Sequence, residues 1–216
     1  MSDLEADLSV FRPLNMYGYS KHLFDVYAAR HGFLDGIVGL KYFNVFGPNE
    51  DHKGDMRSLV NKAYRQIVET GKVQLFKSHR PDFRDGEQRR DFLYVKDAVN
   101  MTIELAETVT AGGLFNVGSG RSHTWVELAT AIFEAMGKEP SIEFIDMPEA
   151  LRGKYQYHTQ ADLTKMCGYC KVVETTLLKD AVADYVQGYL VPDRRLGDEV
   201  KEAEPTAVPE EEKAEA

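Results

Sequence analysis

The sequence predicts an α/β fold built on a parallel sheet. β-rich apolar runs alternate with segments of helical periodicity along most of the chain's 216 residues. Residues 36–43, GIVGLKYF, show little polar alternation, which is typical of a parallel strand buried on both faces. An apolar content of 43% and a charged content of 28% are ordinary for a globular protein. No internal repeat interrupts this pattern.

The first half predicts two helices and two strands. Apolar and aromatic residues recur at helical spacing over residues 15–30, and His31-Gly32 is a usual helix end. The strand at 36–43 follows, and residues 44–48 break it. A second helix is predicted over 55–70, closed by Gly71, with a short strand at 73–76.

The second half begins with a charged, turn-rich loop at 77–90. Thr124 and Glu127 form a capping box and predict a helix that runs to Met136. The remaining predicted elements are strands at 91–95, 114–117 and 141–145, and helices at 96–109, 160–165 and 175–190.

Charge limits the classes of partner. The net charge of −9 argues against nucleic-acid binding, which needs a basic face. We expect a flexible N-terminus at 1–12, one domain at 13–192 and a disordered acidic tail at 193–216. No apolar run of membrane length occurs and the N-terminus lacks a secretory h-region, so we expect a cytoplasmic protein with no membrane partner.

Two cysteines, Cys167 and Cys170, are separated by two residues. This spacing supplies half of a zinc site, but no second pair completes it. Redox use would need a thiolate at a helix N-terminus after a strand, which this context does not clearly supply. We therefore expect no metal site.

Tyr17 and Lys21 are four residues apart and share one face of the first predicted helix. The lysine ammonium stabilises a nearby phenolate, and such a pair is the acid–base device of many nicotinamide enzymes. Only 16 residues precede Tyr17, which leaves no room for a Gly-rich nucleotide-binding turn. Gly118-Ser-Gly120 has His123 in place of the third glycine, so we interpret it as a tight turn near a ligand.

Several segments together resemble the extended short-chain dehydrogenase/reductase superfamily. The segments are PLNMYGYSK at 13–21, KYFNVFGP at 41–48, RDFLYV at 90–95 and FNVGSGR at 115–121. His52-Lys53-Gly54, with GKYQ at 153–156 and TQADL at 159–163, resembles the ADP-L-glycero-D-manno-heptose 6-epimerase family. The resemblance covers only the second part of that family's length. It implies an incomplete Rossmann-like parallel sheet with a small α/β substrate-binding lobe.

The resemblance implies NADP as cofactor, an ADP-sugar as substrate and inversion of C6 by transient oxidation and re-reduction. Tyr17, Lys21 and Lys53 would be catalytic, and these three together with Val45 would contact the cofactor. Two bases in different places suit a reaction that needs proton transfer on both sides of a flipped intermediate. The implied substrate contacts are Asn44, Asp55, Lys62, Phe76, Lys77, Ser78, His79, Arg90 and Tyr155.

Two alternatives stay open. Another nucleotide-sugar 4-epimerase or 4,6-dehydratase of the same superfamily would share these motifs. A non-catalytic accessory subunit, paired with a partner that carries the Gly-rich half, is an alternative of another class. In that case 36–43 becomes an exposed edge or face. We expect the chain alone to bind NADP weakly, and either such a partner or a homo-oligomer to complete the site.

Overall fold

The computed structural model describes residues 3–170 and 174–198. Seven α-helices lie in these ranges: α1 Met16–Arg30, α2 Leu59–Thr70, α3 Val95–Thr108, α4 Trp125–Ala135, α5 Glu149–Arg152, α6 Thr164–Cys167 and α7 Leu178–Tyr185. They also contain eight strands: β1 Val38–Tyr42, β2 Asn44–Phe46, β3 Val73–Phe76, β4 Arg89–Arg90, β5 Phe92–Tyr94, β6 Gly113–Val117, β7 His123–Thr124 and β8 Ile142–Ile145. Short 3-10 helices lie at Glu5–Ser9, Phe33–Asp35 and Asp51–Met56, and a π-helical turn, Val186–Leu190, follows α7.

The strands form four two-stranded pairs. Three pairs are parallel: β1 with β6, β2 with β5, and β3 with β8. The fourth, β4 with β7, is antiparallel. The α/β class with parallel pairing is therefore confirmed, and the helices between paired strands supply the crossovers that parallel pairing needs.

The chain changes partner at Phe43. The Phe43 amide donates to the Val117 carbonyl of β6, and the next amide, that of Asn44, donates to the Asp91 carbonyl just before β5. Residues 44–46 therefore continue as strand β2, whereas the sequence predicted that the strand breaks there. This switch places the side chains that follow Phe43 beside a different part of the core.

The largest core cluster surrounds the β2–β5 and β3–β8 pairs. Phe46 and Phe92 pack there with side chains of α2, α4 and α7, and Ile132 and Phe133 are fully buried. A second cluster joins α3, α6 and β6 around Phe115. Each large apolar side chain buried in this way contributes about 1.5–3 kcal/mol. These clusters hold β2, β3 and α4 as a rigid frame for the cleft described below.

Several expectations need correction. β1 is exposed at both ends (Val38 36%, Tyr42 48%), so it is not buried on both faces. Its one hydrogen-bonded neighbour among the described strands is β6, which leaves it at an edge. The loop at 77–90 ends in strand β4, since Arg89 and Arg90 pair with β7. The second helix starts at Leu59 with Ser58 as its cap, because 51–56 forms a 3-10 segment.

Part of each predicted terminal segment lies within the described residues. Residues Glu5–Ser9 form a 3-10 helix, Leu8 is buried, and the Asp3 carboxylate accepts a 2.8 Å hydrogen bond from the Asn116 amide. Of the predicted acidic tail, 193–198 are described and the rest lies outside the described residues. None of the helices in the described ranges is long and apolar enough to cross a membrane.

Candidate active site

A cleft of about 590 Å³ opens beside β2, β3, α2 and α4. Six of the residues predicted for the site line it: Asn44, Val45, Lys53, Lys62, Phe76 and Tyr155. They come from two strands, one helix and two loops, and they span more than 100 positions of the sequence. Cationic, amide and aromatic side chains around one cavity suit a polar ligand that carries both a ring and negative charge.

Lys53 lies on the kinked 3-10 segment Asp51–Met56. The kink is at Gly54 (φ 54°, ψ −126°), a conformation that residues with a Cβ rarely adopt, so glycine is required there. Arg57 Nε donates to the Gly54 carbonyl at 2.6 Å and fixes the turn. In the described part of the chain no carboxylate pairs with the Lys53 ammonium, which leaves it available at the cleft.

Glu50 anchors the start of this loop from inside the protein. Its carboxylate is 4% exposed and accepts hydrogen bonds from the Ser58 amide (2.7 Å), the Ser58 hydroxyl (2.5 Å) and the Tyr185 hydroxyl (2.9 Å). Tyr185 lies on α7 and also accepts from Asn61 Nδ2 at 3.0 Å. Burial and the carboxylate of Glu50 raise the pKa of Tyr185, although the Asn61 hydrogen bond opposes this. The Lys53 loop is therefore tied to two helices.

Asp51 provides a second anchor on the solvent side. Its carboxylate accepts from Arg65 Nη2 at 2.7 Å and from Asn61 Nδ2 at 3.2 Å, and Arg195 lies 3.4 Å away. Burial alone would raise the pKa of Asp51, but the hydrogen bonds and nearby guanidinium groups outweigh it and lower the pKa. The anionic form is thus the one that holds the loop.

The remaining predicted substrate residues do not line the cleft; they are Asp55, Lys77, Ser78, His79 and Arg90. Lys62 Nζ donates to the Asp55 carbonyl at 3.3 Å, so these two are neighbours through the backbone. Lys77 pairs with Asp146 at 3.4 Å. The Ser78 amide donates to Asp85 at 2.7 Å, and the His79 amide donates to the Tyr157 hydroxyl at 3.0 Å. Arg90 is buried against the ring of Tyr155.

Tyr17 and Lys21 are together but apart from this cleft. Lys21 Nζ lies 5.4 Å from the centre of the Tyr17 ring, so the pair shares a helix face as predicted. Tyr17 is 73% exposed, and neither residue lines the cleft. Helix α1 packs against the Glu5–Ser9 and Phe33–Asp35 segments, and Ala28 is its one buried residue.

The Gly118-Ser-Gly120 turn is already filled by a side chain. The buried Asp91 carboxylate accepts from the amides of Ser119 (2.7 Å), Gly120 (3.0 Å) and Ala161 (2.9 Å). The Ser119 and Gly120 amides are donors of the kind that bind a phosphate at a Gly-rich turn. The interpretation that this segment is not a dinucleotide fingerprint therefore has a structural reason.

The cysteines occupy different environments. Cys167 is exposed, whereas Cys170 is buried in the cluster around Phe115, and burial raises the pKa of its thiol. Within the described ranges no group of three or more His, Cys, Asp or Glu side chains could hold a metal ion.

Sequence reasoning missed Trp125, Glu50 and Tyr185. Trp125 lines the cleft as the first residue of α4, and the capping box correctly predicted that this helix starts there. The tryptophan directly after the predicted helix cap could have been named as a candidate cleft residue, because its position at the start of α4 was predicted. Glu50 and Tyr185 are 135 residues apart, and nothing in the local pattern links them.

Comparison with known proteins gives the family. Residues 2–118 match the NAD dependent epimerase/dehydratase family. The chain is 54% identical over 189 residues to the ADP-L-glycero-D-manno-heptose-6-epimerase of Nitratidesulfovibrio vulgaris strain DP4, covering 88% of this chain and 58% of that protein. It is 42% identical over 193 residues to the enzyme of the same name from Fusobacterium nucleatum, covering 85% and 58%.

Solved structures agree with this match. The ADP-L-glycero-D-manno-heptose-6-epimerase of Helicobacter pylori superposes with a TM-score of 0.68 at 27% identity, covering 82% of this chain and 52% of that one. A UDP-glucuronic acid 4-epimerase from Bacillus cereus, solved with UDP-glucuronic acid and NAD, has a TM-score of 0.64 at 22% identity, covering 82% and 54%. The latter shares the fold. The chain spans about 58% of the length of the curated relatives it matches.

Proposed function

The chain belongs to the NAD dependent epimerase/dehydratase family, and from this premise we propose that its cleft binds an ADP-glycero-manno-heptose for inversion at C6 with NADP. The family is NAD(P)-dependent; NADP in particular, and the heptose, rest on the resemblance of the His52-Lys53-Gly54, 153–156 and 159–163 segments and on the relatives' names.

The observation that carries this proposal is the convergence on one cleft. Asn44, Lys53, Lys62, Phe76 and Tyr155 were predicted as site residues from the family resemblance, and all five line the same cavity. Two ammonium groups beside aromatic rings suit a nucleotide diphosphate joined to a sugar, because the cations bind phosphate and the rings stack on a base.

The described residues fit one end of a nicotinamide dinucleotide. Val45 and Lys53 line the cleft, while the Gly118–Gly120 turn cannot take the diphosphate because Asp91 occupies its amides. When bound, the nicotinamide supplies the chemistry of accepting a hydride from C6 and returning it to the opposite face. We assign Val45 and Lys53 as cofactor contacts on this basis, and Tyr17 and Lys21 on the family resemblance.

The chain's own residues handle protons and orientation. We assign Lys53 as one acid–base group, since its ammonium has no carboxylate partner in the described part of the chain and its loop is anchored by Glu50 and Asp51. The family resemblance assigns the exposed Tyr17–Lys21 pair as the second acid–base group, and a reaction on both faces of a flipped intermediate suits two such groups. Asn44 and Lys62 hold the substrate, and Phe76 and Tyr155 provide faces for it.

The test is interconversion of ADP-D-glycero- and ADP-L-glycero-manno-heptose, followed by NMR at C6. The full chain is assayed with NADP, alone and together with the part of the Nitratidesulfovibrio protein that it does not match. We expect turnover in at least one arm, and we expect Lys53→Ala to reduce it by about 100-fold or more, as for loss of an acid–base group.

Lys138→Ala is the matched control, because Lys138 is an exposed lysine outside the cleft. It should leave the rate unchanged. Absence of turnover in both arms would reject the function. Turnover that survives Lys53→Ala would reject the role of Lys53 while keeping the function.

A further inference from the structure

Arg90 is a buried cation without a counter-charge. The residue is 7% exposed, and burial lowers the pKa of its guanidinium. Among the described residues no Asp or Glu lies within ion-pair distance of it. Within the described ranges the guanidinium makes one hydrogen bond, from Nη1 to the Arg89 carbonyl at 2.8 Å. Four of the five guanidinium N–H groups are therefore left for another acceptor.

Two aromatic rings hold this guanidinium. Its central carbon lies 5.0 Å from the centre of the Tyr155 ring and 5.6 Å from that of Trp125. An arginine that stacks on an aromatic ring keeps its in-plane N–H groups available to other acceptors. Both rings line the cleft, so the guanidinium that they contact adjoins the cleft wall.

Trp125 is itself held in one orientation. Its Nε1 donates to the Tyr155 hydroxyl at 2.9 Å, which links the two rings. Its backbone starts α4 directly after the Thr124–Glu127 capping box, and its ring packs edge-on against Phe92 at 5.1 Å. Arg90 pairs with His123 across β4 and β7, and Trp125 follows β7 directly. The backbones of Arg90 and Trp125 are therefore fixed relative to each other.

We propose that Trp125 is a positioning residue for Arg90: with Tyr155 it holds the guanidinium plane so that the free N–H groups meet a diphosphate bound in the cleft. This inference rests on the proposed function for the identity of the ligand. Trp125 acts through Arg90 and not by contact with the diphosphate. A freely rotating arginine would lose side-chain entropy on binding, and the two rings remove that loss in advance.

The experiment is a double-mutant cycle on the full chain, with inorganic pyrophosphate and ADP titrated by calorimetry. Arg90→Ala should weaken binding by at least about 10-fold, the effect of losing a charge-assisted hydrogen bond. Trp125→Leu should weaken it by about 5-fold or more. In the Arg90→Ala background, Trp125→Leu should cause no further loss, because residues that act as a unit are non-additive.

Two further measurements separate positioning from simple packing. Adenosine, which has no phosphate, should bind equally to the wild type and to Trp125→Leu. Trp125→Phe keeps an aromatic face without the hydrogen bond to Tyr155, and it should retain affinity within about threefold. If Trp125→Leu does not fold by thermal unfolding, Trp125→Met, which keeps apolar volume without an aromatic face, replaces it in the two Arg90 backgrounds.

Additive losses would overturn the inference, as would weaker adenosine binding or failure of the wild type to bind pyrophosphate and ADP. Heptose turnover combined with an additive cycle leaves the proposed function standing and rejects the positioning role. A non-additive pyrophosphate cycle without heptose turnover supports the positioning role and rejects the proposed function.

Discussion

Two regions of this molecule carry the predicted acid–base groups, and they are held in opposite ways. The Lys53 loop, residues 50–58, is tied by the buried Glu50 to α2 and α7 and by Asp51 to Arg65. Helix α1, which carries Tyr17 and Lys21, has one buried residue, Ala28. Its apolar and aromatic side chains are largely exposed, including Met16 at 77% and Phe24 at 62%.

The contrast teaches that a recognisable motif and a well-packed site are separate properties. The Tyr17–Lys21 spacing is local to one helix and needs no tertiary contact to form. The position of Lys53 depends on hydrogen bonds between residues 8 to 135 positions apart. We therefore expect substitutions to affect stability strongly around the loop and weakly on α1.

Glu50→Ala should give the largest effect. The change leaves the Ser58 amide and the Tyr185 hydroxyl without their buried acceptor. We expect the free energy of unfolding to fall by about 2–4 kcal/mol, measured by urea denaturation. Glu69→Ala, at an exposed glutamate of α2, is the control and should stay within about 0.5 kcal/mol. Equal losses in both variants would contradict the anchoring role of Glu50.

Asp51→Asn should give an intermediate, pH-dependent effect. The pKa of Asp51 is lowered below about 3.8 in the folded state, so its stabilising contribution is complete above that value and is lost as the pH falls through the folded pKa. The unfolding free energy of the wild type should therefore drop below about pH 4, and this drop should be smaller in the variant.

At neutral pH we expect Asp51→Asn to cost about 1 kcal/mol, because the carboxylate is partly exposed. Urea titrations at a series of pH values measure both quantities. An acid limb that is identical in the two proteins would show that Asp51 does not hold the loop as an anion.

The smallest effect should come from Tyr17→Phe, compared with the same change at Tyr185. Tyr17 is 73% exposed, and we expect its variant to lie within about 0.5 kcal/mol of the wild type. Tyr185→Phe removes a buried hydroxyl that bonds both Glu50 and Asn61, and should cost about 1–2 kcal/mol. Thermal unfolding of the two variants compares the regions directly. A larger loss of stability for Tyr17→Phe than for Tyr185→Phe would contradict the difference between the two regions.

The parts of the fold that could be predicted are those encoded within a few residues. Thr124 with Glu127 caps α4 as the sequence indicated, and Asn15, the first residue of the predicted helical range, caps α1 through the Gly18 amide. Strands β4 and β7 were missed because each has two residues and exists only through the pairing of distant segments. The change of partner at Phe43 was missed for the same reason, since an apolar run does not reveal which strand it will join.

The candidate site likewise contains residues that could be predicted from the sequence and residues that could not. Motif resemblance predicted Asn44, Lys53, Lys62, Phe76 and Tyr155, and the fold brings them to one cleft. The residues that hold these groups in place, Glu50 and Tyr185 among them, carry no local signal because they contact only after the chain is folded. The sequence thus predicts side chains that line the cleft better than the groups that orient them.

Trp125 is the single tryptophan of the 216 residues, and it stands in the cleft wall. Selective excitation of indole therefore gives fluorescence from Trp125 alone, because the chain has no second tryptophan. A change in water access or polarity at the cleft shifts the emission wavelength of Trp125 and changes its intensity. The protein thus contains its own optical probe of cleft occupancy, which permits rapid-mixing measurements without a label.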